Sequence, residues 1–123
     1  MGSRIAVVDD DPVFLDLLHA LLSDEGYEPH LFPDGLGAYA RIHALAPRAI
    51  ILDVRMENPA AGWRLLARAW DDPVLCHTPI IVCAGDLPSL QERAEDMEAR
   101  GCAVLVKPFD VLALLDLLAR LID

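Results

Sequence analysis

Basic residues are scarce in this sequence, and their scarcity excludes several classes of partner. The 123 residues include 20 Asp and Glu but only 10 Lys and Arg, which gives a formal net charge of -10 at pH 7. Binding to nucleic acid needs a basic face that neutralises phosphates, and binding to an anionic membrane surface needs clustered Lys and Arg. We therefore expect no direct contact with nucleic acid and none with a membrane.

Long apolar runs, a secretion signal and paired cysteines are also lacking. No stretch approaches the roughly 18 apolar residues of a membrane-spanning helix, and no basic-then-apolar leader opens the chain, so a cytoplasmic location is expected. Cys76, Cys83 and Cys102 are odd in number and form no C-x-x-C pair, which argues against a disulfide framework and against a zinc site. As small apolar residues, they are predicted to be buried.

The residues that remain suffice for one apolar core. Hydrophobic residues make up 54% of a chain of ordinary domain length, so we predict a single domain over residues 1–123. Residues 1–3 are interpreted as a possible tag or a flexible N-terminus.

Short apolar runs recur along the chain and predict strands. Four runs rich in Val and Ile lack polar alternation, at residues 5–8, 49–52, 80–83 and 103–106, as is typical of strands buried on both faces of a parallel sheet. A fifth candidate strand, 28–32, contains Pro29. Proline cannot donate to a central ladder, so this strand is predicted at an edge of the sheet.

Helical segments with recognisable ends alternate with these runs. Five helices are predicted from their end signals. The first runs from Pro12, after the cap Asp11, to about Glu25, the second from Asp34 to about Leu45, and the third from Trp63 to Trp70. The fourth runs from the capping box Ser89 and Glu92 to Gly101, and the fifth from the cap Asp110 to about Asp123. Five βα units predict an α/β fold with a doubly wound, five-stranded parallel sheet and five helices. Ligands are then expected beyond the carboxyl ends of the strands.

Acidic residues follow two of the predicted strands at those carboxyl ends. Asp9, Asp10 and Asp11 follow the first strand, and Asp53 follows the third. Crowded carboxylates repel unless a cation neutralises them, and all-oxygen ligands suit Mg²⁺; Asp11 is expected only to cap the helix. Lys107, the sole lysine, follows the fifth strand, where an ammonium group can bind a phosphate.

These segments together resemble a known family. IAVVDDDP, ILDVRM, PIIVCAG and VLVKPF resemble, in order and spacing, the receiver domain of two-component response regulators over essentially the whole chain. The resemblance implies a flavodoxin-like strand order, 2-1-3-4-5. It also implies a signalling domain in a phosphorelay that assists its own phosphorylation, with a sensor histidine kinase or a histidine phosphotransfer protein as partner.

The resemblance also implies roles for individual residues. Asp53 would accept the phosphoryl group from a phosphohistidine. Asp9, Asp10, Asp53 and the backbone carbonyl of Arg55 would hold Mg²⁺, with Asp9 acting through water. Lys107 and the backbone N–H of Ala84 would contact the phosphoryl oxygens, as phosphoryl transfer requires.

The sequence departs from the family pattern at two strand positions and in the segment between Asp53 and the third helix. Cys83 stands where the family has Ser or Thr, and Val104 stands where it has an aromatic switch residue. Glu57 replaces a proline in the loop after Asp53, and Gly62, which the family uses to open the third helix, comes one residue late. These departures predict a modified phospho-switch.

Two alternatives remain from the sequence. The chain could be a degenerate receiver used as a docking module. It could also be an aspartate-nucleophile phosphohydrolase resembling the haloacid dehalogenase family, with Asp9 and Asp11 as its D-x-D motif and Lys107 as its lysine. The short chain, the lack of a cap insertion and the lack of an acidic pair after Lys107 argue against the phosphohydrolase.

The last predicted helix is unusually apolar. Its hydrophobic residues between 110 and 122 cover roughly 220° of the helical wheel, about twice the arc that packing on a sheet requires. Part of this surface is therefore predicted to contact another chain. The resemblance points to the face formed by the fourth helix, fifth strand and fifth helix, which predicts a homodimer or a kinase contact.

Overall fold

Five strands and five helices alternate in the part of the chain that the computed structural model describes, which is residues 2–35, 37–53, 59–84, 94–99, 102–106 and 110–122. The strands are β1 Arg4–Val8, β2 Glu28–Phe32, β3 Ala49–Asp53, β4 Ile80–Ala84 and β5 Ala103–Val106. The helices are α1 Pro12–Asp24, α2 Ala38–Leu45, α3 Pro59–Asp71, α4 Ala94–Ala99 and α5 Val111–Ile122.

All five strands form one parallel sheet. The strand order is β2-β1-β3-β4-β5, and every neighbouring pair is parallel. The predicted strand order is therefore confirmed. Pro29 lies on β2 at one edge of the sheet, where its missing N–H removes no hydrogen bond from the ladder.

Helices cover both faces of the sheet, which confirms the doubly wound fold. Alternate strand residues point to opposite faces. Val8, Leu52 and Val82 pack with buried residues of α2, α3 and α4. The neighbouring set Val7, Ile51 and Ile81 packs instead with buried residues of α1 and α5. Because both faces are buried, the strands are continuously apolar rather than alternating.

Two predicted helix caps are confirmed. The Asp11 side chain accepts a hydrogen bond from the Val13 N–H at 3.0 Å, directly before Pro12 at the first helical position. The Asp110 side chain accepts from the Leu112 N–H at 2.9 Å. Each cap satisfies a backbone donor that the first turn of a helix leaves unpaired.

The starts of two helices differ from the prediction. Helix α2 begins at Ala38 rather than Asp34, because the chain first turns through Gly37, which has a φ of 78°. Helix α3 begins at Pro59 rather than Trp63, since proline is well suited to a first helical position. Gly62 therefore lies inside α3 and does not open it. The predicted capping box, Ser89 with Glu92, and the predicted terminator Gly101 lie outside the described residues.

None of the three cysteines forms a disulfide, and only one of them is fully buried. Cys83 lies in the core on β4, whereas Cys102 is half-buried and Cys76 is exposed. The prediction that all three are buried is wrong for Cys76, because this residue lies in the turn between α3 and β4 rather than in a strand.

Candidate functional site

Three of the predicted acids come together at the carboxyl edge of the sheet. Val8 and Leu52 are paired residues of β1 and β3, so the residues that follow them, Asp9 and Asp53, emerge side by side. One carboxylate oxygen from each of Asp9, Asp10 and Asp53 lies within 4.8 Å of the others. We call these three residues the acid pocket.

Two members of the acid pocket are almost inaccessible to solvent. Asp9 is 1% exposed and Asp53 is 5% exposed, whereas Asp10 lies at the surface. Asp9 is held in place on both sides: its N–H donates to the Phe32 carbonyl at 3.2 Å, and its side chain accepts from the Asp11 N–H at 2.9 Å. Burial and hydrogen bonding therefore hold these carboxylates close together, although they would repel one another as free charges.

The electrostatics of the acid pocket favour a cation. Two carboxylates about 4–5 Å apart repel by about 3–4 kcal/mol at the effective dielectric constant typical of protein sites. A divalent cation would turn that repulsion into attraction. The donors are all carboxylate oxygens, and Asp10 leaves one side open to water, so the residues suit Mg²⁺, which keeps several of its waters.

Asp11 is not part of the acid pocket. Its side chain accepts the hydrogen bond from Val13 and so serves the N-terminus of α1. The expectation that Asp11 caps this helix is confirmed.

Cys83, one of the predicted departures from the family pattern, lies directly beside the acid pocket. Cys83 of β4 is the paired residue of Asp53 of β3. Cys83 belongs to the α1 and α5 face of the sheet, and strand alternation puts Asp53 on the same face after Ile51. Cys83 is 1% exposed, and Ala84, the last residue of β4, is also buried.

Of the remaining predicted residues, only Val104 lies in the described part of the chain. Val104 lies on β5 as the paired residue of Val82, and its side chain is partly exposed. Arg55, Glu57 and Lys107 lie outside the described residues.

A third buried acid, outside the acid pocket, was not anticipated from the sequence. Asp72, just after α3, is buried and accepts hydrogen bonds from the Tyr39 hydroxyl, from His43 Nδ1 at 2.5 Å and from the Val74 N–H at 2.7 Å. These bonds, that of Tyr39 foremost, hold the pKa of Asp72 well below its usual range. The hydrogen bond to Asp72 likewise raises the pKa of Tyr39. Tyr39 and His43 belong to α2, so the cluster ties α2 to the end of α3.

Comparison with known proteins decides the family. Residues 5–119 match the response regulator receiver domain. The chain belongs to this family. It is thus a receiver domain of two-component response regulators, as the sequence motifs predicted. In the described residues of this receiver domain, no helix combines the length and the apolar character needed to cross a membrane.

Individual relatives agree with this assignment. The receiver domain is 34% identical over 110 residues to the response regulator PleD of Caulobacter vibrioides; the match covers 89% of this chain but 24% of PleD. The structure of chemotaxis protein CheY4 from Vibrio cholerae superimposes with a TM-score of 0.83 at 27% identity, covering 98% of this chain and 99% of that one. The receiver domain of sensor histidine kinase PA1611 from Pseudomonas aeruginosa PAO1 gives a TM-score of 0.82 at 28% identity, with coverage of 99% and 98%. That structure has a magnesium ion coordinated in its active-site cleft.

Proposed function

We propose that this receiver domain accepts a phosphoryl group on Asp53, with Mg²⁺ held by Asp9, Asp10 and Asp53. The observation that carries the proposal is the convergence of the three carboxylates within 4.8 Å at the carboxyl edge of the sheet. Repulsion within such a cluster is relieved by a counter-charge. The family match and the magnesium ion in the related PA1611 receiver support the same proposal.

The proposed reaction is an in-line transfer. A carboxylate oxygen of Asp53 attacks the phosphorus atom of a phosphohistidine, an O–P bond forms, and the N–P bond breaks with its electron pair leaving on the imidazole nitrogen. Mg²⁺ would neutralise charge on the phosphoryl oxygens. The hydrogen bonds of Asp9 with Phe32 and Asp11 hold its carboxylate in the acid pocket before the phosphoryl donor binds. The chain thereby assists its own phosphorylation.

Further contacts to the phosphoryl group are carried over from the family. The N–H of Ala84 and the Lys107 ammonium would contact its oxygens, and the carbonyl of Arg55 would complete the Mg²⁺ ligands. Ala84 ends the strand next to Asp53, which suits the first of these roles. The donor would be a sensor histidine kinase or a histidine phosphotransfer protein, as in phosphorelays of this family.

An alternative phosphohydrolase mechanism would use Asp9 as nucleophile and Asp11 as acid. The use of the Asp11 side chain as a helix cap argues against it. Acetyl phosphate distinguishes the two reactions. If the chain is a receiver, the wild type should retain covalently bound phosphate. Asp9→Asn should keep part of this labelling, and Asp53→Asn should lose all of it. Sustained phosphate release that Asp9→Asn abolishes and Asp53→Asn leaves intact would contradict the proposal. Asp16→Asn, an exposed change on α1, is the matched control.

We also propose that the face formed by α4, β5 and α5 contacts another chain, either a second copy or the kinase. Three apolar side chains support the proposal because water can reach them: Val104 and Val106 on β5 and Leu112 on α5. β5 is also an edge strand of the sheet, and edge strands are positions at which another chain can pair. Leu114 and Leu118 of α5 are fully buried, which explains part, but not all, of the apolar character of this helix.

A further inference from the structure

Two thiols outside the acid pocket line one cavity. The cavity has a volume of about 290 Å³, and its walls include Cys76, Cys102, His77 and Trp70. It adjoins Ile80, the first residue of β4, and therefore lies at the amino ends of the strands. The acid pocket lies at the opposite, carboxyl ends. The reaction proposed above does not use this cavity.

The local backbone explains why both thiols line this cavity. Cys102 immediately precedes β5, whose first residue Ala103 pairs with Ile81 of β4. Cys76 comes shortly before β4, in a tightly folded turn. The Cys76 N–H donates to the Asp72 carbonyl at 2.8 Å, and the Thr78 N–H donates to the Leu75 carbonyl at 3.0 Å. This turn keeps Cys76 near the amino end of β4, on the cavity that Cys102 also lines.

The three thiols of the chain differ in accessibility. Cys76 is exposed, Cys102 is half-buried, and Cys83 is buried at the other end of β4. Oxidation of a thiol requires access by the oxidant. Cys76 is therefore placed to react first with an oxidant. Cys102, which lines the same cavity, is placed to react next with the oxidised Cys76. Cys83 is protected by its burial.

We propose that Cys76 and Cys102 are a peroxide-sensitive thiol pair that closes to a disulfide. The Cys76 thiolate attacks hydrogen peroxide, the O–O bond breaks, and a sulfenic acid and hydroxide form. The Cys102 thiolate then attacks the Cys76 sulfur, the S–S bond forms, and the S–O bond breaks with loss of a second hydroxide. With the two thiol protons, the products are one disulfide and two molecules of water, so both sulfurs are oxidised and peroxide is reduced.

The disulfide would connect the segment between α3 and β4 to the start of β5. A bond between residues 76 and 102 also restricts the unfolded chain, so the oxidised protein should melt at a higher temperature than the reduced protein. The acid pocket lies at the opposite end of the strands and has no cysteine ligand, so Mg²⁺ should stabilise both forms alike.

Peroxide treatment followed by peptide mass spectrometry tests the pair directly. The wild-type chain is exposed to a small excess of hydrogen peroxide at several protein concentrations, remaining thiols are alkylated, and the chain is digested without reductant. We expect a linked peptide pair containing Cys76 and Cys102, at a yield independent of protein concentration and reversed by dithiothreitol. Cys83 should be alkylated only after unfolding.

Two single variants provide the controls. Cys102→Ser should stop at a sulfenic acid on Cys76, which dimedone traps, and Cys76→Ser should form no internal link. Independent oxidation of Cys76 and Cys102 in the wild type, without a link between them, would overturn the proposal. So would a link whose yield rises with protein concentration, since that link joins two chains.

Discussion

Asp53 and Cys83 are paired residues of the parallel strands β3 and β4, and both lie at the carboxyl ends of these strands. A side chain at position 83 is therefore next to any group carried by Asp53. The receiver family usually has a Ser or Thr hydroxyl at this position, and here there is a buried thiol, which is a weak hydrogen-bond donor.

The first prediction follows from this pairing. Cys83→Thr should lengthen the lifetime of the phosphorylated state or speed phosphorylation by about tenfold, since a hydrogen bond to a charged group contributes about 1.5–3 kcal/mol. Phosphate retention after acetyl phosphate treatment, followed over time on Phos-tag gels, measures both quantities. Cys76→Ser is the control at the opposite end of the sheet. If Cys83→Thr matches the wild type in both quantities, residue 83 does not contact the phosphoryl oxygens.

The second prediction concerns Mg²⁺ and stability. Magnesium at about ten times its dissociation constant should stabilise the wild type by about 1.4 kcal/mol, which raises the melting temperature by a few degrees. Asp10→Asn should remove most of this rise and should also stabilise the metal-free protein, because one repelling charge is lost. Thermal unfolding with and without Mg²⁺ tests both effects.

The control for the magnesium experiment is Asp16→Asn, which removes an exposed charge from α1. It should keep the full Mg²⁺ response. An equal rise in Asp10→Asn and in the wild type would show that Asp10 does not hold the ion.

The third prediction concerns pH and the Asp72 cluster. The pKa of Asp72 is lowered in the folded state, so its charge stabilises the fold fully above the unfolded value of 3.8. That contribution is lost as the pH falls below 3.8 towards the folded pKa. Asp72→Asn should therefore be less stable than the wild type at pH 7, and the difference should shrink in strongly acidic solution.

Urea unfolding of both proteins across this pH range measures the difference. Asp71→Asn, which removes the exposed neighbouring charge, should show no such difference at pH 7. A gap between wild type and Asp72→Asn that stays constant down to the lowest pH would contradict the assigned role of the ionised carboxylate.

The fourth prediction concerns the proposed partner face. Leu112 is 67% exposed at the start of α5, so Leu112→Glu should leave the fold intact and weaken a homodimer. Val13→Glu is the matched control, because Val13 is 74% exposed on α1. Sedimentation velocity at high concentration should show a dimer for the wild type and the control and a monomer for Leu112→Glu. A monomeric wild type would contradict the dimer.

The sheet and the acid pocket were predictable from sequence for the same reason. Strands buried on both faces must be apolar throughout, so each strand is visible as a run with a sharp end. The acids Asp9 and Asp53 follow those ends, and the parallel order brings them to one edge. The caps Asp11 and Asp110 were predictable because capping depends on residues close in sequence.

Features that depend on distant contacts were not predictable. Asp72 is 33 residues from Tyr39 and 29 from His43, and no periodic pattern relates them. The shared cavity of Cys76 and Cys102 likewise arises only when β4 and β5 pair. The start of α3 was predicted too late because Gly62 was interpreted as the residue that opens the helix, whereas one glycine inside a helix costs only about 1 kcal/mol.

The central claim is that Asp53 carries the phosphoryl group, and peptide mapping tests it most directly. The wild-type chain is incubated with acetyl phosphate and Mg²⁺, the acyl phosphate is trapped by reduction with borohydride, and the digest is analysed by mass spectrometry. We predict a single modified residue, Asp53, whose labelling requires Mg²⁺ and disappears in Asp53→Asn. Modification of Asp9 instead, or a folded wild-type protein that remains unmodified with Mg²⁺ present, would contradict the account.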